Sequence, residues 1–420
     1  MDTYKKFSKH LVLLFLLVQI FGCEEKIETI DQVRTGADIL ISEKLDLVKN
    51  KNLGIVTNHT AILSNGVHLV DSLHKIPEIK INALFGPEHG IRGDAADGSI
   101  IEDGKDVKTG IPVFSLYGRI RKPTPEMLEN IDLLIFDIQD VGARFYTFIS
   151  TMYYAIQTAS ENNIPILILD RPNPINGIDV SGPMLDTNFT SFVGITILPI
   201  QHGMTVGELA LYFNQPQILR TKRPANLEVI KMQNWKREYY YDDCKLKWIS
   251  PSPNMPNLST AIVYPGLCLI EGINISEGRG TYSPFLMIGS PYINSSDVIK
   301  EISKADLDGF TLKDTIFTPV EIPKMALSPK YENELCNGIF ISVTDRKTFK
   351  PIELVVNLIY TFHKLYPQNF TFRESAIDRL WGSDNFRKDI IERKTPNEIV
   401  GSYQKELNKF IDTRKEFLLY

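Results

Sequence analysis

The stretch "FGPEHGIRGD", Phe85 to Asp94, sets Glu88, His89, Arg92 and Asp94 among glycines directly after the apolar run "IKINALF". A carboxyl, an imidazole and a guanidinium on a loop whose glycines let the backbone come close to a ligand are the parts of a proton-transfer site. The same residues also suit an ordinary charged turn. Other segments weigh against that reading, because reactive side chains recur in the same context: His59 in "IVTNHT", Asp137, Asp140, Arg144 and Tyr146 in "DIQDVGARFYT", Asp170 and Arg171 in "DRPNP", and His202 in "QHGMT". Each follows an apolar run. A later, glycine-rich passage adds Glu271, Glu277 and Arg279.

The elements that must position these groups are legible as a repeated pattern. The runs "LGIVTNHT", "IKINALFGPEHG", "IPVFSLYG", "IDLLIFDIQDVGAR", "IPILILDRPNP" and "GITILPIQHGMT" read as strands, each followed by a segment able to form a helix. That alternation predicts an α/β, Rossmann-like domain with a mainly parallel sheet, its middle strands covered on both faces. The polar residues then fall just past the carboxyl ends of the strands, where open α/β sheets place their ligands. Thr205 with Glu208 three residues on predicts a capping box, a structural role that leaves His202 unexplained.

Beyond about residue 214 the alternation weakens. "LEVIKMQNW" and "NGIFISVTD" read as strands, "PIELVVNLIYTFHKLYP" as a helix, "NEIVGSYQKELNKFIDTRKEFLLY" as a helical tail, and residues 248–285 as a long irregular passage. The expected organisation is a signal peptide over 1–22, a tether over 23–36, the Rossmann-like domain over 37–213 and a smaller α+β domain over 214–420.

The chain ends and composition narrow the function classes. Lys5, Lys6 and Lys9 precede an apolar run from Leu11 to Phe21 that is short for a membrane span and closes in "IFGC". This is the order of a secretory signal ending at a lipidation site, with Cys23 the acceptor. A formal net charge of −5 and a pI near 5.9, without basic runs interleaved with aromatics, speak against nucleic acid. No dinucleotide-type glycine pattern follows the first strand and no phosphate loop occurs, so nicotinamide and nucleotide chemistry are disfavoured. Cys244, Cys268 and Cys336 lack metal-ligand spacing and read as buried free thiols.

Taken in order, "GPEHGIRGDAADG", "DIQDVGARFYT", "DRPNPING", "SPSPNMPN", "EGINISEGRGT" and "FLLY" resemble the NamZ-like exo-β-N-acetylmuramidases, formerly domain of unknown function 1343. The likeness spans nearly the whole mature chain. It implies an active site in the cleft between a Rossmann-like domain and a smaller one, and release of N-acetylmuramic acid from the non-reducing end of peptidoglycan fragments, with no cofactor. It points to Glu88 as the acid that protonates the leaving oxygen. The second group is open among Asp137, Asp140, Asp170 and Glu277, with Asp140 and Glu277 placed beside Glu88 as catalytic. His89, Asp137, Tyr146, Asp170, His202 and Glu271 are expected to bind substrate. One of Arg92, Arg144 and Arg279 is expected to read the lactyl carboxylate that distinguishes N-acetylmuramic acid from N-acetylglucosamine, the others pairing with neighbouring acids. Tyr146, Tyr282 and Trp248 are candidate rings for a sugar face. Partners would be muramyl saccharides and, through the anchor, a membrane, with the protein exported to the periplasm or outer membrane. The rival readings are a metal-dependent hydrolase built on His59, His89 and His202 with Asp137 or Asp170, and a lipoprotein that binds wall fragments without cleaving them.

Overall fold

The computed structural model describes residues 31–93 and 103–420, so the signal segment, Cys23 and Asp94 lie outside the described residues. Seven strands, β1 (Asn52–Thr57), β2 (Lys80–Gly86), β3 (Gly104–Lys105), β4 (Pro112–Ser115), β5 (Leu133–Asp137), β6 (Ile166–Leu169) and β7 (Leu227–Ile230), form one sheet in the order β3-β4-β2-β1-β5-β6-β7. Every pair in it is parallel except β3 with β4. Successive residues of a strand point to opposite faces. Ala83, Phe85, Leu134, Phe136, Ile166 and Ile168 accordingly join the core beneath the helix Phe148–Asn162, while Leu84, Leu133, Ile135, Leu167 and Leu169 join the core beneath the helix Gly36–Glu43. β5 and β6 are buried at every position, as the near-continuous apolar runs predicted.

Two parts of the sequence reading change. The run "GITILPIQHGMT" is not a strand: its Ile195, Leu198 and Ile200 are buried, but the segment makes only isolated bridges, Gln201 pairing with both Ala143 and Ser181. Pro199 removes a ladder donor from it, and the place beside β6 is taken by β7. Because β7 belongs to the large sheet, that module runs past the boundary expected at residue 213.

A second sheet of β8 (Met287–Ser290), β9 (Phe310–Phe317) and β10 (Cys336–Val343) is antiparallel, in the order β8-β10-β9. The helix Ser295–Ile302 packs on this sheet, and the amphipathic helix Pro351–Leu365 packs against that helix and against Leu258–Leu267, with Ile352, Val355, Val356, Ile359 and Phe362 buried. The passage read as irregular contains a helix, Leu258–Leu267, capped by Asn257 and carrying Pro265 in its last turn. Its Gly266 lies so close to the start of Pro351–Leu365 that a Cβ there would fall 2.0 Å from the Pro351 carbonyl oxygen. The tail returns to the first module. Tyr420, the last residue of "FLLY", donates its hydroxyl to Asp170 at 2.8 Å and accepts the Met232 N–H at 2.7 Å. Residues 32–420 therefore form one compact unit.

Candidate active site

Glu88 sits just past the carboxyl end of β2, in a loop that turns through left-handed backbone at His89 (φ 71°), Gly90 (φ 72°) and Gly93 (φ 75°). A histidine in that region is strained, and such strain is held only where the surroundings enforce it. Gly93 has a second reason to lack a side chain: a Cβ would stand 2.7 Å from the His59 ring, whose Nε2–H donates to the Ser250 carbonyl at 2.8 Å. Arg92 ties the loop down from the other side. Its Nε and Nη2 meet Asp106 at 2.8 and 2.7 Å, and Nη2 also meets Asp71 at 2.7 Å. Those carboxylates hold the guanidinium charged, and Arg92 in turn holds Asp106 well below the usual carboxylate range.

Glu88 and His89 line a cavity of about 460 Å³ together with Glu271, Arg279 and Phe285 from the second half of the chain. The Thr147 hydroxyl, at the start of the helix Phe148–Asn162, donates to Glu88 Oε2 at 3.4 Å. Tyr146 sits between the halves, edge-on to Phe148 at 5.0 Å and to Tyr264 at 5.8 Å, and Tyr264 is edge-on to Phe285 at 5.0 Å. All four rings of this cluster line the cavity.

Glu271 is the second carboxylate of that cavity. Arg279 grips its Oε1 through Nε at 3.1 Å and Nη2 at 2.9 Å while lying 5.4 Å over the Phe285 ring. Burial and the nearby Glu277 push the Glu271 carboxyl up, against the pull of Arg279 and Lys330. Glu277 stands behind it, 4% exposed, 3.0 Å from Lys330 Nζ and 3.7 Å from Arg279 Nε. Lys330 also donates to the carbonyls of Ile270, Ile273 and Ile275 at 2.8 to 2.9 Å. Glu277 thus belongs to the ion network around Arg279 and Lys330, while Glu271 lines the cavity that holds Glu88.

The remaining acids of the sequence reading are turned to structural work, and the cavity wall formed by the described residues includes none of them. Asp137 makes a two-pronged pair with Arg171, both wholly buried. Asp170 accepts from Thr205, Tyr420 and the Gly207 and Arg171 N–H groups. Asp140 accepts the Gly142 N–H at 2.7 Å and lies 3.6 Å from His202 Nε2. His202 Nδ1 accepts the Met204 N–H at 3.2 Å, which puts the proton of the neutral ring on Nε2, facing Asp140. That pair shapes the turn leading into Arg144 and Tyr146.

Arg144 is equally committed. Fully buried, it donates to the carbonyls of Pro183, Leu198, Leu380 and Trp381, with burial lowering its pKa to about 9, and so joins the two halves of the chain. Tyr282 is 84% exposed and is not among the residues lining the cavity, and Trp248 packs on Tyr241 with its indole N–H on the Met255 carbonyl. Of the three candidate rings, only Tyr146 lines the site. The expected capping box at Thr205 and Glu208 is present, and Cys244, Cys268 and Cys336 are buried free thiols. Among the described residues no three His, Cys, Asp or Glu side chains converge as metal ligands. Sequence reasoning missed Tyr117, Arg121, Thr147 and Phe192 on the cavity wall. Tyr117 and Arg121 follow the end of β4, so the strand-end rule that found Glu88 would have found them too.

Family models described as exo-beta-N-acetylmuramidase NamZ, N-terminal and C-terminal, match residues 53–259 and 262–420. Their junction follows β7 and precedes β8, in keeping with the sheet topology. The peptidoglycan beta-N-acetylmuramidase NamZ of Bacillus subtilis (strain 168) is 44% identical over 390 residues, 93% of this chain and 92% of its own length. Two solved DUF1343 family proteins from Bacteroides fragilis NCTC 9343 superpose with TM-scores of 0.85 and 0.77, at 32% and 35% identity, each over 93% of this chain and 99% of the other.

Proposed function

The chain belongs to the exo-beta-N-acetylmuramidase NamZ family, and on that premise we propose that it removes N-acetylmuramic acid from the non-reducing end of peptidoglycan fragments. The observation that carries the site assignment is one cavity lined by both Glu88 and the Glu271–Arg279 pair. Hydrolysis of a glycosidic bond needs a proton for the departing oxygen and negative charge or a base for the oxocarbenium-like carbon and incoming water. Glu88, on its strained loop beside Thr147, delivers the proton. Glu271, in the same cavity, acts at the sugar ring, with Arg279 fixing its orientation.

A second assignment of roles is favoured by one observation. Burial pushes Glu271 up, which suits a carboxyl that must arrive protonated. In that version Glu271 is the acid and Glu88 works on the anomeric carbon. The same cavity serves both.

The N-terminal segment completes the proposal. Residues 1–22 direct export, Cys23 carries lipid, and the enzyme works at the periplasm or outer membrane on muramyl saccharides. A chromogenic β-N-acetylmuramide incubated with micromolar protein tests the function: release of the chromophore over many turnovers is expected, and saturable binding without release would make the protein a carrier of wall fragments instead.

A further inference from the structure

N-acetylmuramic acid carries a carboxylate that N-acetylglucosamine lacks, and the cations first considered for it are committed elsewhere. Arg92 is held by Asp71 and Asp106, Arg144 by backbone carbonyls, and Arg279 by Glu271. The cavity wall holds one more guanidinium. Arg121, exposed on the segment after β4, has its Cζ 4.5 Å from the centre of the Phe192 ring. Its neighbour Lys122 is paired with Glu161 at 2.5 Å, whereas no ion pair is formed by Arg121 among the described residues.

The platform under Arg121 is built. The Phe192 ring lies nearly parallel to Tyr154 (12°, centroids 6.4 Å apart), and the Phe192 carbonyl accepts the buried Ser150 hydroxyl at 2.7 Å. Ser150 and Tyr154 stand on the same helix face as Thr147, at spacings of three and seven residues, and Thr147 is the partner of Glu88. One rigid helix thus carries the support of the catalytic glutamate at its start and the support of the Arg121 platform about two turns further on. A guanidinium held over a ring still has N–H groups free to donate, and its fork matches a carboxylate in two-pronged fashion.

We infer that Arg121, stacked on Phe192, binds the lactyl carboxylate of the substrate and sets the preference for N-acetylmuramic acid. This rests on the muramidase reading above. The stacking pre-orients the side chain, so less freedom is lost on binding, and Glu88 and Glu271 in the same cavity disfavour a carboxylate anywhere but at the cation.

The test is the ratio of kcat/KM on an aryl β-N-acetylmuramide to kcat/KM on its lactyl methyl ester, which keeps the shape and removes the charge. It is measured for wild type, Arg121→Ala, Arg121→Lys and Phe192→Leu, each checked by circular dichroism. The ratio should fall roughly 10- to 100-fold in Arg121→Ala. Arg121→Lys, which keeps charge without the fork, and Phe192→Leu, which removes the ring beneath it, should fall part of the way. An unchanged ratio in Arg121→Ala overturns the assignment and leaves the muramidase reading standing. So does a wild type that treats acid and ester alike. A wild type that hydrolyses neither compound overturns both.

Discussion

Asp137, at the end of β5, and Arg171, just past the end of β6, close a two-pronged ion pair, Nε to Oδ1 at 2.5 Å and Nη2 to Oδ2 at 2.9 Å, with both side chains shut off from solvent. The pair clamps neighbouring strands at the edge of the sheet that carries the active-site loops. Leaving one partner buried and alone is costly, so Asp137→Ala or Arg171→Ala should lose about 3 to 5 kcal/mol in urea denaturation. The folded fraction should retain its turnover. A stable Asp137→Asn protein with abolished activity would return Asp137 to the catalytic list.

The roles of Glu88 and Glu271 separate by leaving group. A general acid matters most when the departing oxygen is poor, so replacing it by Gln should slow a natural muramyl disaccharide by roughly 10²- to 10⁴-fold and an activated aryl muramide much less. With Glu88 as the acid, Glu88→Gln shows that split and Glu271→Gln slows both substrates. The reverse pattern would establish Glu271 as the acid. Equal, near wild-type rates on the disaccharide for Glu88→Gln would remove Glu88 from the chemistry.

Asp170 gives stability a defined pH dependence. Burial, with the Glu208 carboxylate adding to it, pushes this carboxyl from 3.8 up to about 7 against the Gly207, Tyr420 and Thr205 donors. The folded protein therefore keeps a proton that the unfolded chain releases near pH 4. This contribution is complete below pH 4 and is lost as pH rises to about 7. Measured against Asp170→Asn, which has no proton to lose, wild-type stability should decline by on the order of 4 kcal/mol between pH 4 and 8. A difference that stays constant with pH, or grows, would contradict an Asp170 that is protonated in the fold.

Cys23 lies beyond the described residues, and its lipidation is proposed from the basic and apolar signal segment that ends in "IFGC". Cys23→Ala should leave the protein soluble or unprocessed in detergent-free fractionation. Mature-sized mutant protein remaining with the membranes would mean that something else anchors it.

Much of the fold follows from local sequence. Continuous apolar runs give β1, β2, β4, β5 and β6, a Thr205–Glu208 spacing gives a capped helix, and glycines around Glu88 mark a loop of unusual backbone. The run "GITILPIQHGMT" shows the limit of that logic. Apolar alternation reports burial, and these residues are buried, but whether a buried run joins a ladder depends on which segment occupies the neighbouring place, here β7.

The site divides in the same way. The strand-end rule and the motifs were enough to bring Glu88, His89, Tyr146, Glu271 and Arg279 forward, and all five meet at one cavity. They could not say which charged groups are already spoken for. Asp137, Asp170, Arg92 and Arg144 have the residue types and positions of substrate-binding groups, yet each is consumed by a partner distant in sequence: Arg171, Tyr420, Asp106, and carbonyls as distant as Leu380 and Trp381. Residue type and strand-end position are local properties written in the chain itself. The compensation of a buried charge is settled only when distant segments pack, because its partner must arrive within about 3 Å to offset the loss of water.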